Sequence, residues 1–139
     1  MAGPGFGRRD IDRQMKMETG IRPMDATAGA FQTQSINRRD ATNGGASAVL
    51  HIACGNATGS PSTQTVNGRL QDSGDGSTDW QNIGTAVTEM TGDDESSSSP
   101  NRNLVDVRKF VRAVVVVAFT GGSSPTIPVS ATICFGGRE

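Results

Sequence analysis

The end of the chain constrains its fold most. From Val105 to Gly137 it reads as two long extended segments, VDVRKFVRAVVVVAF (105–119) and TIPVSATICFGG (126–137), joined by one Gly/Ser/Pro turn. Valine and isoleucine are abundant in both, and a branched Cβ suits a pleated strand. In the second segment Ile127, Val129, Ala131, Ile133 and Phe135 alternate with Thr126, Pro128, Ser130, Thr132 and Cys134, the period of a half-buried strand. Pro128 has no amide to give to a ladder, which predicts an edge position near the start of that strand. The first segment behaves differently. Val111, Ala113, Val115, Val117 and Phe119 form one face, and Arg112, Val114, Val116 and Ala118 form the other. Both faces are apolar, and an antiparallel sheet with one wet face does not read that way. The second face is expected to meet a facing subunit or a covering segment of its own chain.

Upstream, Ala46 to Ala53 and Thr65 to Gln71 read as strands. A Gly/Asp turn at 72–77 leads into Trp80 to Gly84, which predicts a hairpin with Leu70, Trp80 and Ile83 on its buried side. The acidic, serine-rich stretch 92–100 contains no large apolar residue and reads as a mobile, solvated loop. Val105, Val107 and Lys109 alternate with Asp106 and Arg108, which predicts a short strand. Roughly five to seven short strands with turn signals between them, and no clear helix, define an all-β chain. The expected fold is a small β-sandwich or jelly-roll-like barrel over residues 46–139, preceded by an extended N-terminal arm over residues 1–45.

That arm carries seven basic and five acidic residues among Gly, Asn, Thr and Gln. Asp10 to Met17 has the composition for two helical turns, but helices so short are marginal in water. Phe31 to Ile36 looks extended. The sparse apolar residues Phe6, Ile11, Ile21, Met24 and Phe31 suit a segment that is ordered on a partner surface. On this reading the β domain stands without residues 1–40.

Composition excludes several classes of function. The net charge of −1 gives no bulk attraction to nucleic acid or to an anionic membrane. The longest apolar run, Ala113 to Phe119, is seven residues and far short of a bilayer span. The first residues lack the apolar stretch of a secretory signal, so assembly in a cytoplasm is expected, with Cys54 and Cys134 as reduced, buried small hydrophobes. With 4% aromatic residues, one tryptophan and no tyrosine, the core must be aliphatic, and a glycan-binding face has few rings to build with. A folded part of about 90–100 residues buries only about 60–65% of its unfolded surface, so self-association would help it.

Catalytic chemistry is not expected. The lone histidine, His51, sits in a strand, and no nucleophile–base pair or closed zinc set arises from local spacing. Asp72, Asp75 and Asp79 around two glycines resemble a calcium loop, but their spacing misses the EF-hand pattern, and a structural hairpin is expected instead. No metal or cofactor is expected. The glycine clusters at 3–7 and 121–122 lack a strand-to-helix context for phosphate. Arg8-Arg9 and Arg38-Arg39 are each followed directly by aspartate, which suits ion pairs with a protein more than nucleic acid.

The run Gly68 to Gly84 (GRLQDSGDGSTDWQNIG), followed by Val105 to Gly121 (VDVRKFVRAVVVVAFTG), resembles a virion module of tailed bacteriophages. There a hairpin of this pattern precedes a "phe/tyr-val-arg-val" strand and a closing strand ending in glycines. The resemblance spans about residues 46–137 and carries no catalytic signature. It implies a head decoration, or cement, protein. Such proteins are typically trimeric β-sandwiches that sit on the outer surface of the expanded shell, bridge capsomers and lay a terminal arm along them. On that reading the partners are the major capsid protein and two further copies of the chain, and the location is the virion head. The shell contact falls to Phe6, Arg8, Arg9, Arg22 and Phe31, and the subunit contact to Arg112, Val114 and Val116. The competing readings are another virion part (head spike, fibre base or tail component) and a carbohydrate-binding β-sandwich.

Overall fold

The computed structural model describes residues 15–37 and 47–136, with residues 15–20 and 22 described by their backbone alone. Its strands are β1 (Met15–Ala26), β2 (Gly29–Gln32), β3 (Ile36–Asn37), β4 (Ser47–Cys54), β5 (Thr63–Ser73), β6 (Gln81–Ile83), β7 (Ser96–Ser98), β8 (Arg102–Asn103), β9 (Phe110–Thr120) and β10 (Ile127–Gly136). Among the described residues there is no helix. One antiparallel sheet runs β1-β10-β4, with β7 and β8 sharing the far side of β4. The other runs β9-β5-β6, with β2 and β3 sharing the far side of β9. The inner faces of the two sheets supply one core, giving the all-β sandwich that the strand pattern predicts.

The two closing segments become the two central strands, one in each sheet, and the turn at 121–125 carries the chain across the sandwich. Every second residue of β10 from Ile127 to Phe135 points into the core, as do Val111, Ala113, Val115 and Val117 of β9. Leu50 and Ile52 meet them from β4, and Val66 and Leu70 from β5. A Cβ on Gly68 would lie 2.5 Å from Ile52 Cδ1 and 2.8 Å from the Val114 carbonyl, so only glycine lets β5 approach the opposite sheet this closely.

Several expectations are corrected. The sandwich begins well before residue 46. β1 pairs with β10 from Met15 opposite Gly136 to Ala26 opposite Ile127, and β2 and β3 pair with β9. Residues 15–17 are therefore strand and not part of a short helix, while residues 10–14 lie outside the described residues. These strands escape a hydrophobicity reading because edge strands are held mainly by backbone hydrogen bonds. β1 is also irregular, with register shifts between Thr19 and Ile21 and between Ile21 and Met24. Pro23 falls in the second shift, where no ladder amide is required.

β10 is not an edge, because β1 and β4 flank it. Pro128 is tolerated at its start, opposite Asp25, with its carbonyl accepting the Gly55 amide at 2.9 Å. The serine run is not a loop throughout: Ser96 to Ser98 pair with Ala53 to His51 of β4. Val105 to Lys109 form no strand. The Val107 amide donates to the Leu104 carbonyl at 3.2 Å in a turn that leaves Val105 79% exposed and Val107 buried.

Both sheets have a broken edge mended in the same way. Between β2 and β3, the Ala113 amide donates to the Thr33 hydroxyl at 2.9 Å while the Thr33 amide donates to the Ala113 carbonyl at 3.0 Å. Between β7 and β8, the Leu50 amide donates to the Ser99 hydroxyl at 2.9 Å and the Ser99 amide to the Leu50 carbonyl at 2.8 Å. In each case a buried hydroxyl takes the amide for which the split edge has no carbonyl.

Candidate interaction face

The outer face of the β9 sheet is where the apolar excess of the sequence comes to the surface. β9 and β5 pair over their whole length, from Thr63 opposite Thr120 to Ser73 opposite Phe110. Opposed residues share a face, so Val116 stands beside Asn67, Val114 beside Arg69 and Arg112 beside Gln71. On the other flank Val116 stands beside Ala30 of β2. The face therefore has two halves. Toward β2 it is apolar, with Val116 46% exposed and Ala30 and Ala118 also exposed. Toward β6 it is polar, because the alternation TVNGRLQ (65–71) turns Thr65, Asn67, Arg69 and Gln71 outward as Val66 and Leu70 turn in.

The polar half is concave. After β6 the chain folds back along β5: the Val87 amide donates to the Gly68 carbonyl at 2.9 Å, and Met90 and Val66 exchange two bonds of 2.9 Å. This segment raises a wall carrying Ala86 and Glu89, and the space between it and β9 is a groove of about 410 Å³ with Val114 in its lining. Arg112 closes a chain of contacts at one end. Its guanidinium lies 4.2 Å from the centre of the Trp80 ring, its Nε donates to Gln71 Oε1 at 3.0 Å, and Gln71 Nε2 donates to Asn82 Oδ1 at 2.9 Å. Partial desolvation pulls the Arg112 pKa below the usual arginine value. Trp80 thus lies on the outer face and not with Leu70 and Ile83. Ile83 lies three positions further on, and an odd spacing on an extended chain points two side chains to opposite sides.

The aspartates that resemble a calcium loop are engaged by the protein itself. Asp72 takes the Arg108 backbone amide at 3.0 Å and its guanidinium at 2.9 Å, and Asp79 takes the same guanidinium at 2.9 Å. Hydrogen bonding of its guanidinium to Asp72 chiefly holds the Arg108 pKa above its usual value. Asp75 accepts the Thr78 and Ser77 amides and the Thr78 and Ser73 hydroxyls, which hold its pKa far below the carboxylate range. The hairpin is pinned to the turn that precedes β9, and this fixes Trp80 beside Arg112.

Of the residues expected to touch a shell, Phe6, Arg8 and Arg9 lie outside the described residues. Arg22 sits in the irregular stretch of β1 and is described by backbone alone. Phe31, opposite Val115, is half-buried and packs on the core, because its position in β2 shares the inner face. Of the three expected subunit contacts, Val116 is exposed, Val114 is half-buried in the groove and Arg112 is held by Trp80 and Gln71. The groove wall at 84–90 was missed, since it contains no strand and only its spacing from Gly68 hints at it. The cysteines are free thiols: Cys54 is buried, 4.0 Å from the Met90 sulfur, and Cys134 is half-buried. Burial pushes the Cys54 thiol pKa up.

No protein-family model and no curated protein matches the sequence. Solved structures do resemble the fold. A chain in the structure of the infectious bursal disease virus Gx strain matches over 89% of this chain at 8% identity, with a TM-score of 0.54. This chain spans about a third (33%) of that one. The C-terminal family 22 carbohydrate-binding module of Clostridium thermocellum Xyn10B matches at 14% identity over 88% of this chain and 86% of the module, with a TM-score of 0.48. A chain of the cyanophage Pam1 capsid asymmetric unit matches at 14% identity over 99% of this chain and 93% of its own, with a TM-score of 0.46. At 8% identity the first likeness is one of fold alone, and at their lower TM-scores the other two carry no argument.

Proposed function

We propose that the chain is a virion structural protein, a decoration protein of a tailed-phage head that associates with copies of itself and bridges capsomers. The observation that carries this reading is the exposed apolar half of the outer β9 face, where Val116, Ala118 and Ala30 adjoin on two strands. A strand apolar on both faces belongs inside an assembly, and repeated copies on a symmetric shell turn weak contacts into strong retention. The resemblance of residues 68–84 and 105–121 to phage virion modules supports the same reading, and a sandwich fold shared with a viral chain is compatible with it. The subunit contact centres on Val116, and the shell contact on the residues before β1, with Phe6, Arg8 and Arg9. The protein acts by association and has no catalytic role.

Light scattering of the purified chain tests self-association, with a trimer expected and a monomer expected for Val116→Asp. A monomeric wild-type chain, or an unchanged mass in the variant, would remove that face from the interface. Co-sedimentation with expanded heads lacking the chain tests the shell contact. Deletion of residues 1–14 is expected to leave the melting temperature nearly unchanged and to abolish binding. A deletion reaching residue 40 would instead remove β1, β2 and β3 and the partners they give to β10 and β9.

A further inference from the structure

The apolar half of the outer face suits another protein surface, but the groove beside it does not. We infer that the groove is a binding site for an uncharged oligosaccharide, whether or not the chain sits on a virion. Three planar amides (Asn67, Gln71 and Asn82), one guanidinium (Arg69) and one carboxylate (Glu89) line it. Planar groups of this kind pair with neighbouring hydroxyls of a sugar ring, offering donors and acceptors at matched spacing. One cation and one anion leave the lining without net charge, which favours a neutral ligand. Val114 and Val116, the latter at the border with the apolar half, give an apolar patch for the C–H face of a ring. The groove lies open on the sheet, so a chain of several sugars can lie along it.

Much of the lining is already fixed before any ligand arrives. Asn67 Oδ1 accepts the Gly68 amide at 2.7 Å, which leaves its Nδ2 as the free end. Asn82 Oδ1 is taken by Gln71, which is itself held by Arg112, so Asn82 also presents its Nδ2. Arg69 Nη2 reaches the Gly84 carbonyl at 3.3 Å, anchoring that side chain to the wall. Among the described residues no hydrogen bond occupies the Glu89 carboxylate, which is left to accept a hydroxyl. Side chains held in place lose little entropy on binding, which is what a weakly hydrophobic, hydroxyl-rich ligand requires. A second copy of the chain suits the groove less well, since it would have to satisfy all these groups at once.

The test uses the full chain and its only tryptophan, which lies at the end of the groove through Arg112. Cellohexaose, xylohexaose, mannohexaose and chitohexaose are titrated while Trp80 fluorescence is followed, with calorimetry as a second readout. Saturable binding of at least one of them is expected, weakened roughly tenfold by Asn67→Ala and again by Asn82→Ala. Unchanged melting temperatures show that these variants are folded, and Glu89→Gln gives a further variant that keeps the side chain's shape. Absence of binding across the panel would overturn the assignment. So would undiminished affinity in the folded variants, or binding confined to sulfated or carboxylated glycans. An altered solution mass with unchanged sugar binding in Asn67→Ala, Asn82→Ala or Glu89→Gln would give the groove to a second copy instead, and likewise overturn it. None of these outcomes depends on co-sedimentation with heads, so the two readings fail separately.

Discussion

β9 and β10 are neighbours in sequence and similar in length and composition, yet they solve opposite problems. Each is the centre of its own sheet and each turns an apolar face into the shared core. Their outer faces differ. β10 shows Ser130, Thr132 and Cys134, a surface content with water or a light cover, whereas β9 shows Val114, Val116 and Ala118. Being central does not explain the second apolar face of β9, since β10 is equally central without one. The excess on β9 is therefore a property of its outer surface, and the proposed self-association rests on it.

The largest expected effects come from placing charge on each of the four faces. Val115→Asp and Ile133→Asp put an unpaired carboxylate among fully buried neighbours. Each is expected to cost more than about 4 kcal/mol and abolish the cooperative melt. Thr132→Asp should change neither the melting temperature by more than a few degrees nor the solution mass, whereas Val116→Asp should change the mass. A mass shift in Thr132→Asp, or none in Val116→Asp, would break the contrast between the two outer faces.

Gly68→Ala comes next. The added methyl group meets the tip of Ile52 from the opposite sheet and the Val114 carbonyl of its own, so Ile52 must turn aside and β5 must shift against β9. Overpacking of this kind costs about 1–3 kcal/mol, read as a lowered midpoint in a denaturant melt. An unchanged midpoint would mean that the sheets are not held this close. Since Gly68 also lines the groove, the variant should bind sugar less well if the groove is the site proposed above.

The broken edges allow a finer comparison of the two sheets. Thr33→Val and Ser99→Ala each remove the hydroxyl that receives a buried amide, that of Ala113 in β9 or that of Leu50 in β4. A loss of about 1–3 kcal/mol is expected for each, with faster hydrogen exchange at the amide left without its acceptor. Equal losses would mean that the two edges are equivalent devices. Protection of only one amide would show that only that edge is closed.

These edges also mark where the sequence stops being legible. Apolar periodicity located β4, β5, β9 and β10 to within two residues at each end, because their inner faces are what the core is made of. It could not locate β1 and β7, and the extended look of Phe31 to Ile36 only overlapped β2 and β3, since a strand at a sheet's margin is held by its backbone and is free to be polar. Ser96 to Ser98 in β7 is the extreme case, three serines paired with a central strand. The apolar half of the candidate face was legible from Val114 and Val116. The groove was not, because the wall carrying Ala86 and Glu89 is irregular chain returning along β5, and a turn-back of that kind has no period to read.

The smallest effect expected lies in the hairpin that holds Trp80. Asp75 is exposed, but two amides and two hydroxyls bind its carboxylate, so its pKa in the folded chain lies well below the ordinary value. A lowered folded pKa contributes stability that is present above the unfolded pKa and is lost as pH falls toward the folded one. Melting curves of wild type and Asp75→Ala from about pH 7 to about pH 2 should therefore differ by a constant amount near neutrality. The gap should narrow only once the pH falls below about 4, the unfolded value, and part of it should survive at the acid end. Trp80 fluorescence should report the same change, because the turn that Asp75 closes leads directly into the ring stacked on Arg112. A gap that is absent at neutral pH would mean that the turn is held by Asp72 and Arg108 alone, and that the outer end of β9 is fixed from its own side and not by the hairpin.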